Sequence, residues 1–347
     1  MHTIVNTLVV LMSVAAITVV LVHWQPAVQL VQVDKSCPVY EPAICPPCEI
    51  PKTLEQRYHD HLEALKNGCG DICQDTQIGV QSLYFNYIAK PNFQCDVLCT
   101  NAAVDKGSLE SHSPKVIPDS MMSLFTYGGR VLLVPFREFF DQQYLGANAM
   151  QPVWTEKNVN EMIELASRGE LNGNYGVDET NWVIEGLKRA NVKGKHVLVI
   201  GSENPWVEAC VLNAGAEHVT TLEYGKIISE HPQISTLTPD EMRAQYTSKY
   251  SAFFDAVVTF SSVEHAGLGR YGDALNPWGD RQALARAWCM AKPGAKLLIG
   301  VMYGTHDVIE FNAHRVYSAL TLSHLLANWK QVWRAPGGSQ IVHVLEK

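Results

Sequence analysis

Hydrophobic and polar positions are arranged in three ways along the chain. From Thr3 to Val22 the run TIVNTLVVLMSVAAITVVLV is apolar and uncharged, the length a helix needs to cross a ~30 Å hydrocarbon core. From Gln25 to about Lys52 the text is rich in Pro, Val and Cys, as in an extended stem. Residues 53–66, TLEQRYHDHLEALK, set Leu54, Tyr58, Leu62 and Leu65 at helical spacing behind Thr53, with Asn67-Gly68 as the stop. Residues 100–120 are polar, contain two prolines and predict a loop. Within Arg130–Phe140, an otherwise apolar stretch, Pro135 leaves helix and strand both open.

After Gly169 short apolar runs alternate with amphipathic ones. Asp178–Ala190 predicts a helix with Asp178 as its N-cap, and Lys195–Ile200 a strand buried on both faces. A helix at Pro205–Ala214 and a strand at His218–Leu222 follow, the strand running into Glu223. A helical or loop segment extends to about Lys249, then come a strand at Ala256–Phe260 and a helix at Arg281–Ala291 N-capped by Asp280. A turn at Lys292-Pro293-Gly294 leads to a last strand, Lys296–Val301. Strands alternating with helices imply an α/β fold with a doubly wound, mostly parallel Rossmann-like sheet. The expected division is an anchor at 3–22, a stem at 23–52, an accessory region at 53–168 and the sheet domain at 169–347.

Charge and cysteines narrow the setting. A net charge of −8 argues against charge-driven nucleic-acid binding. Seven of the nine cysteines fall between Cys37 and Cys99, beside the apolar run, which fits an oxidising compartment. The expected location is therefore the secretory lumen or the cell surface, with residues 3–22 as a single-pass anchor; a cleaved signal peptide is the competing reading. The spacings Cys69-x-x-x-Cys73 and Cys95-x-x-x-Cys99 suggest two antiparallel helices stapled by Cys69–Cys99 and Cys73–Cys95, with zinc on the same thiolates as the rival. An odd cysteine in that cluster leaves one for an intermolecular bridge, which would make a disulfide-linked oligomer, or for a free thiol. His59 and His61 lie two apart and read as solvent-exposed rather than as metal ligands, and no metal site is expected.

Three strand ends carry the candidate chemistry. One is Gly201-Ser202-Glu203-Asn204-Pro205 and the second is Glu223, twenty-two residues after Gly201; the third is Ser261-Ser262-Val263-Glu264-His265. In a doubly wound sheet such ends border the ligand crevice, and an acidic side chain at the second can accept ribose hydroxyls. Gly201 stands alone where a pyrophosphate would call for G-x-G-x-x-G, so S-adenosylmethionine (SAM) suits this crevice better than NAD.

The stretches VVTFSSVEHAGLGRYGDALNPWGD, CMAKPGAKLLIGV and FNAHRVY resemble the uncharacterised domain-of-unknown-function family 268, which is related to class I SAM-dependent methyltransferases. The resemblance covers roughly residues 170–347 and implies the methyltransferase-like fold, with no substrate attached. It puts Gly201 and Ser202 in the first cofactor loop, Glu223 on the ribose, and Ser261, Ser262 and His265 near the transferred methyl. Methyl transfer then needs an aligned acceptor and a group to take its proton. His265 and His314 are the candidates, with Glu264 or Asp273 orienting one of them. Each residue also has a plainer role: Glu223 as a helix cap, Glu264 and His265 as loop hydrogen-bonders, and Arg270, Asp273 and Asp280 as a salt-bridged scaffold. The reading is a membrane-anchored SAM-dependent methyltransferase with an unknown acceptor. Its alternatives are an inactive methyltransferase-like binding module and a disulfide-linked structural membrane protein.

Overall fold

Side chains alternate across a strand with period two, and here that alternation splits the core in two. The computed structural model describes residues 51–73, 90–135, 137–142, 144–145, 151–335 and 340–347. The expected anchor at 3–22 and nearly all of the stem lie outside the described residues. Among the described residues no helix is long and apolar enough to cross a membrane.

Seven strands form the main sheet: β1 (His196–Ile200), β2 (His218–Leu222), β3 (Ile234–Leu237), β4 (Phe254–Phe260), β5 (Ala291–Met302), β6 (Lys330–Arg334) and β7 (Gln340–Glu346). Their order is β3-β2-β1-β4-β5-β7-β6. The first five pair in parallel with their neighbours, whereas β7 runs antiparallel to both β5 and β6. The order reverses between β1 and β4, which opens a crevice at the carboxyl ends of the strands.

Val197 and Val199 of β1, Val258 of β4 and Val344 of β7 enter one core, together with α3 (Glu156–Arg168), α4 (Val177–Ala190) and α5 (Trp206–Asn213). Leu198 and Ile200, Val257, and Leu297 and Ile299 of β5 enter the other. That second core is filled by α1 (Leu54–Cys69), α2 (Cys95–Thr100) and α6 (Gly279–Met290). The accessory region thus supplies helices to both faces of the sheet, α3 to one core and α1 and α2 to the other, and Lys52–Lys347 is one compact unit. Each fully buried aliphatic side chain contributes roughly 1.5–3 kcal/mol.

The expected strands and helices occur, with shifted ends. Gly176 (φ 102°), not Asp178, occupies the N-cap of α4, and Asp178 lies in its first turn. Likewise α6 begins at Gly279 with Trp278 at its N-cap, so Asp280 is inside the helix. The expected Lys292-Pro293-Gly294 turn is absorbed into β5. Three strands with no counterpart in the sequence reading complete the sheet: β3, within the segment expected to be helix or loop, and β6 and β7.

The cysteine pairing differs from expectation. Cys69 ends α1 and a single 3-10 turn, Gly70–Cys73, brings Cys73 back to it, giving a Cys69–Cys73 disulfide with Cα atoms 5.6 Å apart. The helix α2 packs chiefly on α6 rather than pairing cysteine for cysteine with α1, so Cys95 bonds Cys289. Cys99, one turn further along α2, is a buried free thiol. His61 is 2% exposed, against the expected solvent exposure, because it shares the inward face of α1 with Tyr58 and Leu65. His59 is exposed.

Candidate functional site

A cavity of about 790 Å³ opens at the crevice, and the carboxyl ends of β1, β2, β3, β4 and β5 all contribute to its wall. Beside them stand Tyr175 before α4, Tyr144 and Leu145 from the accessory region, and Gln340 from β7.

The turn after β1 is set by Gly201, whose φ of +73° favours glycine. A Cβ there would lie 1.7 Å from Ser262 Oγ and 2.4 Å from Ser262 Cβ. The Ser262 side chain therefore fills the space that a Cβ at position 201 would need, and glycine leaves that space open. The next residue, Ser202, donates its backbone N–H to Glu223 Oε2 at 2.8 Å, while Tyr224 N–H donates to Glu223 Oε1 at 2.6 Å. Glu223 thus links the ends of β1 and β2 and lines the cavity, with lone pairs left on both oxygens. Burial, aided by nearby Glu203, raises its pKa, though its backbone donors work the other way.

Beneath the turn lies a carboxyl that the sequence reading passed over. Glu208 of α5 is fully buried; its Oε2 is 2.9 Å from the Ser202 hydroxyl and its Oε1 accepts from Thr221 at 2.7 Å. Burial pushes this carboxyl up to about 7. The signal was present, because Glu208 is the only charge within WVEACVLNAGA.

The loop after β4 is long and held from within. Ser261 (φ +48°) lines the cavity and its hydroxyl accepts from Gln340 Nε2 at 3.0 Å. Ser262 and His265 also line it, whereas Glu264 and Asp273 do not. Asp273 is 1% exposed and accepts the backbone N–H groups of Gly267 (2.7 Å), Gly269 (3.4 Å) and Tyr271 (3.1 Å), which makes it a loop scaffold. The buried Arg315 guanidinium gathers the carbonyls of Glu264, Ala266 and Asn276 and lies 3.7 Å from Asp280. Tyr317 donates to the same aspartate at 2.9 Å. Glu264 is 0% exposed, and neither carboxylate oxygen has a hydrogen-bond partner of ordinary geometry. Burial pushes this carboxyl, too, up to about 7. Among the described residues, neither Glu264 nor Asp273, the expected orienting groups, is hydrogen-bonded to His265 or His314.

His265 sits 2.5 Å through Nδ1 from the Ala313 carbonyl, so Nδ1 carries the proton and Nε2 is left as an acceptor. Burial drives its pKa down to about 3. Its ring stands perpendicular to His314, centroids 6.2 Å apart. His314 also lines the cavity, with Nε2 4.0 Å from Glu310, and burial lowers its pKa despite that carboxylate. The two imidazoles are neutral hydrogen-bonding groups near pH 7. As proton acceptors both are weaker than a free histidine.

Among the described residues no cluster of His, Cys, Asp and Glu is arranged to hold a metal. Tyr175 and Tyr144 are wall residues for which the sequence reading had no cavity role, and Arg270, whose plainer reading was a salt-bridged scaffold, also lines the cavity. Tyr175 lies between Gly173 and Gly176, both at positive φ, just ahead of α4; that glycine-flanked aromatic is a usable signal.

Residues 194–340 match the family described as Caenorhabditis protein of unknown function, DUF268. No curated protein matches the chain. Among solved structures, the chain is similar to 1,6-didemethyltoxoflavin-N1-methyltransferase of Burkholderia thailandensis, a structure with bound S-adenosylhomocysteine. That likeness has 15% identity and a TM-score of 0.34, over 59% of this chain and 97% of that one. A SAM-dependent methyltransferase of Aquifex aeolicus is 16% identical with a TM-score of 0.35, over 54% and 97%. The N-methyltransferase NodS of Bradyrhizobium japonicum is 14% identical with a TM-score of 0.34, over 51% and 99%. The fold is α/β, with a mixed, mostly parallel sheet.

Proposed function

We propose that this chain is a SAM-dependent methyltransferase, anchored in a membrane by residues 3–22 and acting on an acceptor in the secretory lumen or outside the cell. The observation that carries the catalytic reading is Glu223, a carboxylate at the end of β2 that faces the cavity and is locked by two backbone donors. Its remaining lone pairs suit a ribose diol. The glycine-only contact between Gly201 and Ser262 keeps the turn low, and no run of glycines cradles a pyrophosphate, which favours SAM over a dinucleotide. When bound, SAM supplies an electrophilic methyl group; the chain's own task is to bind, orient and exclude water.

His265 and His314 then act as hydrogen-bond acceptors for the methyl acceptor's proton, with His265 held in one tautomer by Ala313. Their depressed basicity favours an acceptor that is already nucleophilic or loses its proton late. The same depression lends some support to the second reading, a binding module without turnover. Calorimetry with SAM and with its demethylated product tests the first reading; failure of wild type to bind either would discard it.

The cysteine-rich stem and the Cys95–Cys289 disulfide support an oxidising compartment. Protease protection of intact microsomes should leave residues 52–347 shielded. Digestion without detergent, or a mature N-terminus beyond residue 22, would reject the anchored, lumenal arrangement.

A further inference from the structure

Two arginines reach the cavity wall, and they are used differently. Arg286 of α6 is spent on the fold. Its Nε donates to the Leu98 carbonyl, Nη1 to both Asp105 oxygens and Nη2 to the Asn101 carbonyl. Arg270, in the loop after β4, is held in place but not neutralised. Its guanidinium lies 4.1 Å over the Phe140 ring and 5.3 Å from that of Tyr271. Nε donates to Gln142 Oε1 at 3.2 Å, and the Arg270 carbonyl accepts from Gln142 N–H at 3.0 Å.

Among the described residues, no hydrogen bond reaches either Nη nitrogen and no carboxylate lies within ion-pair distance. The neighbours its field reaches are His265, His314, Tyr144, Tyr175 and Tyr271, all neutral near pH 7, and the buried Glu264 carboxyl, which burial pushes up to about 7 and which makes no ion pair with it. A planar guanidinium fixed by stacking, with its outer edge unspent, is a ready partner for a carboxylate or phosphate. Burial against aromatic rings weakens the competition from water for that edge.

We infer that Arg270 anchors an oxyanion carried by the methyl acceptor. This rests on the methyltransferase reading above. The cofactor's own carboxylate shares this chemistry, but the turn that receives a cofactor follows β1, whereas Arg270 follows β4. The acidic wall residues Glu203 and Glu223 stand on the β1 and β2 side, which leaves Arg270 to the acceptor.

The test uses the full chain in detergent, saturated with S-adenosylhomocysteine and titrated calorimetrically with benzoate, inorganic phosphate and the neutral isostere benzamide. Benzoate or phosphate should bind at least about tenfold more tightly than benzamide. Arg270→Gln should erase that preference, Arg270→Lys should retain part of it, and S-adenosylhomocysteine affinity should change by less than about threefold. A melting curve for each variant shows whether it is folded, and the lysine variant serves if the glutamine one is not. Absence of oxyanion binding, equal affinity for benzoate and benzamide, or a preference that survives Arg270→Gln would overturn the inference. So would a loss of about tenfold in S-adenosylhomocysteine affinity, since Arg270 would then hold the cofactor. If wild type binds no S-adenosylhomocysteine, the methyltransferase reading fails separately. The titrations on ligand-free protein still decide whether Arg270 is an oxyanion site.

Discussion

The turn after β1 and the loop after β4 face one another across the crevice, and each is built over a buried glutamate whose carboxyl titrates at about 7. Under the turn, Glu208 meets two hydroxyls, from Ser202 and Thr221. Within the loop, neither Glu264 carboxylate oxygen has a hydrogen bond of ordinary geometry among the described residues. The turn is thus closed by its own short-range bonds. The loop is closed by what surrounds it: Asp273 on three backbone N–H groups, Arg315 on three carbonyls, and α6, which follows it, bolted to the accessory region by Cys95–Cys289 and Arg286. A site whose two walls are stabilised by different means can be disturbed one wall at a time.

The largest expected effect is on the loop side. The Cys95–Cys289 bond spans 194 residues, so Cys289→Ser should cost about 2–5 kcal/mol of stability. The short Cys69–Cys73 link, separated by 4 residues, should matter less. Denaturant midpoints of the two serine variants decide this, and equal losses would break the contrast.

Next comes the contact between the walls. Gly201→Ala should weaken SAM binding about tenfold or more, because the turn must move to admit a Cβ. Adding Ser262→Gly should restore part of the loss. A double mutant no better than the single one would mean that backbone strain at φ +73°, not the contact, is limiting.

Leucine at the two glutamates compares the walls directly. Glu208→Leu leaves the Thr221 hydroxyl without its carboxyl partner, while Ser202 keeps the Asn204 carbonyl at 3.0 Å, and should destabilise by about 1–3 kcal/mol. Glu264→Leu removes no hydrogen bond of ordinary geometry and should change stability by less than about 1 kcal/mol near pH 4, where the carboxyl is largely protonated in both states. Urea unfolding at fixed pH measures both, and matching losses would show that Glu264 has partners after all.

The smallest effect is a slope. Each of the two carboxyls keeps its proton in the folded state up to about 7, against an ordinary 4.5. Their contribution is complete below about pH 4.5 and is lost as pH rises to about 7, roughly 3 kcal/mol per group. His265 and His61, held near 3 and 4, oppose this, since burying them neutral costs stability as pH falls below 6.5. Glu264→Gln should therefore flatten the decline between pH 4.5 and 7 without touching the acidic limb. An unchanged profile would remove Glu264 from the account.

Much of the sheet was legible in the sequence because β1, β2 and β4 are short β-branched runs bounded by polar residues. The carboxyl ends of those strands located Gly201, Glu223 and Ser261 as well. Three things were not legible. The C-terminal strands β6 and β7 offered no helix between them to mark a crossover. The disulfide partners depended on α2 lying against α6, a contact between residues 194 apart that local spacing does not encode. Glu264 and Asp273 looked like catalytic groups because polar residues in a glycine-rich loop do so equally whether they face a cavity or hold the loop's own N–H groups. Only the fold separates the two cases.

The central claim is that the crevice holds SAM through Glu223. Its most direct test is calorimetric titration of wild type and Glu223→Gln with S-adenosylhomocysteine. Wild type should bind about one equivalent per chain, and the variant, still folded, should bind roughly ten- to hundredfold more weakly, the equivalent of about 1.5–3 kcal/mol for a charge-assisted pair. No binding by wild type, or equal binding by the two proteins, would contradict it.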